Sequence, residues 1–299
     1  MVDFWILLTG ILAAGSCALV GSFLVLRKQA MLSDAISHAV LPGIAIAFLL
    51  TASRNTFPML IGAGAFGLLT VYLTDKLSSS GRIMHDASMG IVFTTLFAIG
   101  VILISMFTRQ VDLDLDCVLY GEIAYVPWDR WFWNSIDMGP RPVWILGFVF
   151  LINLIFVISS FKELQIYSFD KQLAISMGIP IGFIHYGLMG TVSFSTIASF
   201  ESVGAILVVA LIIVPPATAY LLTNNLKKMI ALSVFIGILS AVSGYAAALF
   251  FNVSISGMIA VMTGIFFAAA FFFSPQEGLF FKNKRAKIAA QNAIRTLQT

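Results

Sequence analysis

Residues 229–273 read MIALSVFIGILSAVSGYAAALFFNVSISGMIAVMTGIFFAAAFFF and contain no Asp, Glu, Lys or Arg over 45 positions. A bilayer core requires about 20 apolar residues per helix, so this stretch is long enough for two membrane spans. The polar residues Asn252, Ser254 and Ser256 divide it. Because hydrocarbon offers no water to the backbone, each span must be helical. The stretch therefore predicts a helical membrane protein.

The rest of the chain repeats this pattern. Of its 299 residues, 60% are hydrophobic and only 10% are charged, whereas soluble domains carry roughly 25% charged residues. We predict an all-α, polytopic membrane protein with about nine transmembrane helices, although eight to ten also fit the sequence. The nine candidate spans are 4–26, 35–53, 57–74, 87–107, 143–161, 181–200, 202–223, 229–251 and 256–273.

The distribution of basic residues predicts the orientation of these spans. Cytoplasmic loops carry an excess of Lys and Arg, and a chain with its N-terminus outside and its C-terminus inside places 13 of the 17 basic residues in the cytoplasm. We therefore expect a transmembrane permease domain over 1–281 and a basic cytoplasmic tail over 282–299. The 13 residues are Arg27, Lys28, Lys76, Arg82, Lys162, Lys171, Lys227, Lys228, Lys282, Lys284, Arg285, Lys287 and Arg295.

The largest loop on the external side, 108–142, is rich in tryptophan. Trp128, Trp131 and Trp133 fit a helix that lies at the level of the lipid headgroups, where amphipathic rings settle. This predicts an interfacial anchor. The same loop also fits a lid over a pathway or a docking surface for an external partner.

Two ionisable residues interrupt the second span. Asp34 and His38 are four positions apart, so they share one helical face. A carboxylate and an imidazole together suit manganese, iron or zinc, and ionisable groups at membrane depth usually face a bundle interior or a water-filled path. Pro42 and Gly43 follow and predict a relaxed helix with freed carbonyl groups. A helix cap by Asp34 with a hydrogen-bonded core histidine fits the spacing equally well.

A third carboxylate, Glu201, lies between two apolar spans with almost no residues left for a turn. It fits either a solvent-exposed helix cap or a polar group that lines the outer part of a pathway. Pro215 and Pro216 follow deep inside the next span. They interrupt backbone hydrogen bonding near mid-membrane, which is tolerated where helices line a cavity.

The predicted cytoplasmic stretch 167–180 indicates a short amphipathic helix. Asp170 lies at its start, and Gly178 with Pro180 ends it. Two histidines lie elsewhere on this side: His85 fits a loop surface, and His185 fits a hydrogen-bonded structural residue better than a metal ligand. The chain contains no Walker-type P-loop and no His-Glu-x-x-His motif, which favours a transport subunit over an enzyme.

Several motifs together resemble those of one family, the integral-membrane permeases of ATP-binding-cassette importers for manganese, zinc or iron. The resemblance covers nearly the whole chain, and it implies the fold of a type II importer permease. It departs from the family pattern at His85 and at the doubled proline, Pro216. The motifs are Gly21–Arg27, Ser33–Gly43, Asp86–Phe93, Leu119–Glu122, Tyr167–Pro180 and Ser199–Ala217.

The resemblance implies a function and a set of partners. It places Asp34 and His38 in the path of a divalent metal ion, manganese ahead of zinc or iron, with no permanently bound cofactor. Cytoplasmic ATPase subunits would dock on the coupling segment 167–180, through Asp170, Lys171, Ala174 and Gly178. A second permease subunit, identical or paralogous, would complete the pathway. An extracytoplasmic metal-binding protein would deliver the ion to this multi-pass protein of a prokaryotic plasma membrane.

Three other functions compete with this prediction. A secondary metal transporter would need no ATPase, and it would show more acidic residues within its spans. An intramembrane enzyme would be active without partners. A permease for a metal chelate, siderophore or vitamin would share the architecture, but its large ligand needs no ionic pair such as Asp34 and His38.

Overall fold

The computed structural model describes residues 2–51, 56–107, 123–133 and 136–274. Within these ranges, nine helices are long and apolar enough to span a bilayer, and all nine predicted spans are confirmed to within a few residues. They are α1 (Val2–Leu26), α2 (Leu32–Thr51), α3 (Thr56–Ser78), α4 (His85–Phe107), α5 (Arg141–Ser159), α8 (Ile181–Val203), α9 (Ala205–Leu222), α10 (Leu226–Phe251) and α11 (Ile255–Phe273).

Shorter elements connect the spans. Helices α6 (Phe161–Phe169) and α7 (Lys171–Ser176) follow α5, and a 3-10 helix (Ile123–Trp128) precedes an antiparallel hairpin of β1 (Arg130–Trp133) and β2 (Ile136–Pro140). The predicted tail 282–299 and the part of the external loop over 108–122, with Leu119–Glu122, lie outside the described residues.

Helix α1 occupies the centre of the bundle and packs against α5, α8, α9 and α10. Its residues from Ala13 to Leu24 are buried, and small side chains let neighbouring backbones approach closely, as is typical of helix packing in membranes. Gly21 shows this most clearly, because it lies directly against the carbonyl oxygen of Ile212 on α9. Pro216 has no N–H to donate to that carbonyl, so the closest approach of the two helices falls where α9 lacks a backbone hydrogen bond.

The two ends of the bundle differ in character. We call the end that carries Arg27, Lys76, Lys171 and Lys227 the basic end; Lys227 at the start of α10 lies 5.7 Å above the ring of Phe161. The other end, which carries the 3-10 helix and the hairpin, is the hairpin end. The described basic residues of the predicted cytoplasmic loops therefore share one end of the bundle.

Helices α8 and α9 meet inside the bundle at Gly204, the single residue between them, which has φ 86°. Sγ of Cys17 lies 3.6 Å from Oγ of Ser199, so the last turn of α8 is level with the middle of α1. Helix α8 also contacts the 3-10 helix at the hairpin end.

The predicted interfacial helix around the tryptophans is wrong. Trp128 ends the 3-10 helix, whereas Trp131 and Trp133 lie on β1. Aromatic residues in succession favour a strand, and Gly139, with φ 88°, supplies a backbone conformation that no regular helix uses. Nε1 of Trp144 donates to the carbonyl of Met138 at 2.9 Å and holds the hairpin on α5.

Candidate functional site

Asp34 and His38 lie in the first two turns of α2, on one face of the helix. Nε2 of His38 is 3.6 Å from Oδ1 of Asp34. Because α2 begins at Leu32, Asp34 lies inside the first turn and does not cap the helix. The side chains of Asp34 and His38 are 43% and 36% exposed in the single chain, so the pair opens to the outside of the bundle.

Two aromatic residues of α4 fix the ring of His38. Phe93 stacks on the imidazole, with 5.5 Å between the ring centroids and 25° between the planes. Phe97 meets it edge-on at 5.9 Å. Both geometries are favourable for aromatic pairs. The imidazole is therefore held in one plane beside the Asp34 carboxylate.

Pro42 and Gly43 lie one turn beyond His38 and bring α2 against its neighbours. Pro42 cannot donate to the carbonyl of His38, and a Cβ on Gly100 of α4 would lie 2.8 Å from Pro42. A Cβ on Gly43 would lie 2.6 Å from the carbonyl oxygen of Gly62 on α3. These close approaches leave α2 no room to shift sideways at this level, and α2 remains helical through Pro42.

The donor set of the pair is incomplete. Among the residues that the structure describes, no three His, Cys, Asp or Glu side chains are grouped closely enough to hold a metal ion. Asp34 and His38 together offer one carboxylate and one imidazole. An ion at the pair would complete its shell with water, with backbone oxygen atoms or with groups from another chain.

Glu201 is the next carboxylate along the bundle. It is exposed and lies in the last turn of α8. Ile197, one turn before it, packs with Val40 of α2. With a rise of 1.5 Å per residue, Glu201 lies about 9 Å beyond His38 along the bundle axis, toward the hairpin end. Pro215 and Pro216 are both buried within α9.

The coupling segment 167–180 forms the short helix that its sequence predicts. Oδ1 of Asp170 accepts hydrogen bonds from the backbone N–H groups of Gln172 at 2.9 Å and Leu173 at 3.0 Å, so Asp170 caps α7. Gly178, with φ 72°, reverses the chain after the helix. Ala174 is buried against the bundle, whereas Lys171 is exposed.

The family model described as "ABC 3 transport family" matches residues 2–274. The chain belongs to the ABC 3 transport family. It is 52% identical over 283 residues to the manganese transport system membrane protein MntD of Bacillus subtilis, covering 95% of this chain and 96% of that protein. It is 40% identical to the zinc transport system membrane protein TroD of Treponema pallidum, covering 92% of this chain and 74% of that one.

A solved structure shares this fold. The structure of PsaBC from Streptococcus pneumoniae in complex with Fab matches with a TM-score of 0.75 and 35% identity, covering 91% of this chain and 92% of that one. The predicted architecture, a type II importer permease, is therefore confirmed for this ABC 3 transport family chain.

The basic end of this ABC 3 transport family chain also holds a polar network that the sequence did not reveal. Nη2 of Arg27 donates to the hydroxyl of Tyr167 and to Nδ1 of His185, each at 2.9 Å. Nε2 of His185 lies 2.6 Å from Oδ2 of Asp75, and Nε2 of His85 lies 3.8 Å from Oδ1 of the same carboxylate. The network joins residues from five separate segments.

The predictions for the two histidines of this network have different outcomes. His185 has hydrogen-bond partners on both ring nitrogens, as expected for a structural histidine. The interpretation of His85 as a loop-surface residue is wrong, because His85 begins α4 and lines a cavity of about 390 Å³ together with Arg27, Asp75 and Lys171. Spacing could not reveal this cluster, since its members are up to 158 positions apart.

Proposed function

We propose that this chain is the permease subunit of an ATP-driven importer that carries a divalent transition-metal ion, manganese ahead of zinc and iron. The observation that carries the proposal is the partly exposed pair of Asp34 and His38, 3.6 Å apart on α2. Carboxylate and imidazole are ligands that borderline divalent cations accept. One relative is named for manganese transport, at 52% identity, and another for zinc transport, at 40% identity. These names support a metal-ion cargo and favour manganese over zinc.

The exposure of the pair supports a second permease subunit. Ionisable side chains at membrane depth are costly against lipid, and the side chains of Asp34 and His38 remain partly exposed in the single chain. A second copy, or a paralogue, packed over α2 and α4 would shield the pair and supply the remaining ligands. The pathway then runs between two permeases.

Three carboxylate and imidazole groups are staggered along the proposed path. Glu201 lies about 9 Å from His38 along the bundle axis, and Asp34 lies one turn further toward the basic end. An ion that moves from Glu201 to His38 and then to Asp34 exchanges ligands in short steps. Each site holds the ion weakly, because an ion with a full protein shell would not leave. The chain binds no permanent cofactor in this mechanism.

The two ends of the bundle support an assignment of the remaining parts of the importer. The basic end faces the cytoplasm by the positive-inside rule, so the N-terminus is external and the C-terminal tail 282–299 is cytoplasmic. Separate ATPase subunits dock on the coupling segment through Asp170, Lys171, Ala174 and Gly178, and hydrolyse the ATP. An extracytoplasmic metal-binding protein docks at the hairpin end. The assembly lies in a prokaryotic plasma membrane.

Metal uptake by a reconstituted complex tests this function. The chain is purified with the ATPase that accompanies it from its native membrane, and the complex is placed in proteoliposomes with its binding protein. We expect ATP-dependent uptake of Mn²⁺, with competition by Zn²⁺ weaker than by unlabelled Mn²⁺. Uptake that needs no ATP would instead identify a secondary transporter. Uptake of a metal chelate without uptake of the free ion would identify a chelate permease.

A further inference from the structure

Arg27 occupies the centre of the polar network at the basic end. Its Nη2 donates to two acceptors, the Tyr167 hydroxyl and Nδ1 of His185, each at 2.9 Å. The guanidinium also lies 4.4 Å from the centroid of the Tyr167 ring, a cation–π distance. Arg27 therefore holds Tyr167, where α6 enters the coupling segment, to α8 of the bundle.

The hydrogen bonds of the network run in one direction. An arginine only donates, so Nδ1 of His185 accepts from Arg27. The proton of the neutral imidazole is then on Nε2, which donates to Asp75 of α3 at 2.6 Å. His185 thus bonds Arg27 through one ring nitrogen and Asp75 through the other, so a shift of α8 against Arg27 or against α3 would lengthen one of these bonds. The network therefore favours one defined arrangement of these segments.

Stability alone does not explain such a network. Arg27 is largely buried, and burial lowers the pKa of its guanidinium although Tyr167 and Asp75 oppose that shift. Desolvated ionic networks are often no more stabilising than apolar side chains of similar volume. Nη1 of Arg27 is buried and has no hydrogen-bond partner in the described structure, which adds to the cost. A role in positioning accounts for the arrangement better.

The position of Arg27 in the chain shows what it would position. Tyr167 lies three residues before Asp170, which caps α7 of the coupling segment. Arg27 directly follows α1, and backbone hydrogen bonds from Gln29 to Leu24 and from Leu32 to Gln29 define the turn that leads to α2. Asp34 lies in the first turn of that helix. Arg27 thus lies between Tyr167 of the coupling segment and the turn that leads to Asp34.

A cavity gives the coupling segment room to move. About 390 Å³ of space lies beside the network, lined by Lys171 of α7 and by Asp75 and His85 from α3 and α4. Arg27 and Tyr167 line this space as well, and they are joined across it by the hydrogen bond of 2.9 Å. A displacement of α6 and α7 toward the cavity would therefore be passed to Arg27.

We propose that Arg27, held by Tyr167, His185 and Asp75, transmits movement of the coupling segment to the turn before α2 and so to Asp34. These four residues are positioning residues, which make ATP hydrolysis productive without touching the ion. The inference rests on the proposed import function. It predicts that weakening the link separates ATP hydrolysis from metal movement.

Tyr167→Phe tests this with the loss of one oxygen atom. The ring and its cation–π contact remain, whereas the hydrogen bond from Arg27 is lost. In proteoliposomes with the ATPase partner, we expect the number of Mn²⁺ ions transported per ATP hydrolysed to fall about tenfold, the scale of a hydrogen bond to a charged group. The ATPase rate itself should stay within about twofold of the wild type. Tyr220→Phe, at an exposed tyrosine of α9, is the matched control and should keep the wild-type ratio.

Arg27→Lys gives a second, independent test. Lysine keeps the charge but lacks the planar fork that bonds two acceptors at once, so the ratio should fall as in Tyr167→Phe. Because both residues act through one link, the double variant should be no worse than the more severe single variant. If the losses of the two single variants multiplied in the double variant, the proposal would be overturned. A wild-type ratio of Mn²⁺ to ATP in both single variants would overturn it as well. A loss of protein that lowers uptake and hydrolysis together would show a structural role only and would also contradict the proposal. If the wild type itself transports no metal, the import function fails and this inference fails with it.

Discussion

The imidazole of His38 stacks on the ring of Phe93, with the centroids 5.5 Å apart and the planes inclined by 25°. Phe93 belongs to α4, whereas His38 and its partner Asp34 belong to α2. The stack therefore sets the orientation of one proposed metal ligand from a different helix. The proposed ion path depends on two helices for a single pair of ligands.

Phe93→Leu should lower metal uptake without removing a ligand. Leucine fills part of the space but loses the stacking energy, roughly 0.5–1.5 kcal/mol, so we expect uptake to fall about two- to tenfold. Initial rates of Mn²⁺ uptake at several concentrations would show the loss mainly as a higher KM. Phe148→Leu, at an exposed phenylalanine of α5, is the control. A wild-type KM in Phe93→Leu would refute the role of the stack.

Gly21→Ala should destabilise the bundle. The new methyl group would collide with the backbone carbonyl of Ile212, which cannot turn away as a side chain can, and overpacking of this kind costs about 1–3 kcal/mol. We expect a lower midpoint of thermal unfolding in detergent. Gly147→Ala on α5 has open space around its new Cβ and should unfold as the wild type does. Equal midpoints for the two variants would contradict the close approach of α1 and α9.

Asp170→Ala should weaken association with the ATPase by loosening α7. The variant loses both bonds to the N–H groups of Gln172 and Leu173, and loss of an N-cap costs about 1 kcal/mol. Retention of the ATPase during purification measures the effect. Asp170→Asn keeps a good cap without the charge, so it should retain the ATPase. If the asparagine variant lost the ATPase as fully as the alanine variant, the charge of Asp170 would matter and not its cap.

The hairpin should loosen in acid through Asp137. Its Oδ1 accepts from the N–H of Gly139 at 3.0 Å, and this bond, with a smaller effect of Arg130, lowers the pKa of Asp137 below its ordinary value of 3.8. Because this pKa is lowered in the folded hairpin, the contact stabilises the hairpin at pH values above the ordinary pKa. The stabilisation is lost as the pH falls through the folded pKa. Hydrogen exchange of the Gly139 amide, corrected for its intrinsic rate, should accelerate there.

Asp137→Asn is the control for that experiment, because its amide oxygen still accepts from Gly139 but does not titrate. Its corrected exchange rate should stay constant across the same pH range. A wild type that behaved like the asparagine variant would refute the contribution of the carboxylate.

The membrane spans were predictable because long, continuous apolar segments must form helices in a bilayer, where the backbone has no water to bond. The short helix α7 was predictable for a local reason, since Asp170 and Gly178 act on the backbone next to them. The hairpin was not predicted. Tryptophans at Trp131 and Trp133 satisfy an interfacial helix and an interfacial strand equally well. Gly139 lies so close to Trp5 that a Cβ would be 2.6 Å from the indole ring, and no local pattern reveals that contact.

The network around Arg27 was not predicted because its contacts join distant parts of the chain. Arg27 and Lys28 are adjacent basic residues in the sequence. Only the fold shows that Arg27 is bonded within the network, whereas Lys28 is exposed. The same limit applies to His85, whose partner Asp75 lies on another helix. The face shared by Asp34 and His38 was predictable from spacing, but the stack on Phe93 was not.

Metal uptake by variants of the Asp34 and His38 pair tests the central claim most directly. Asp34→Asn and His38→Ala are reconstituted with the ATPase at matched amounts in the membrane, and the initial rate of ATP-dependent Mn²⁺ uptake is measured. If the pair lines the ion path, each variant should lose about tenfold or more of the rate, since weaker perturbations of metal sites already cost 10- to 100-fold. Wild-type uptake by both variants would contradict the account.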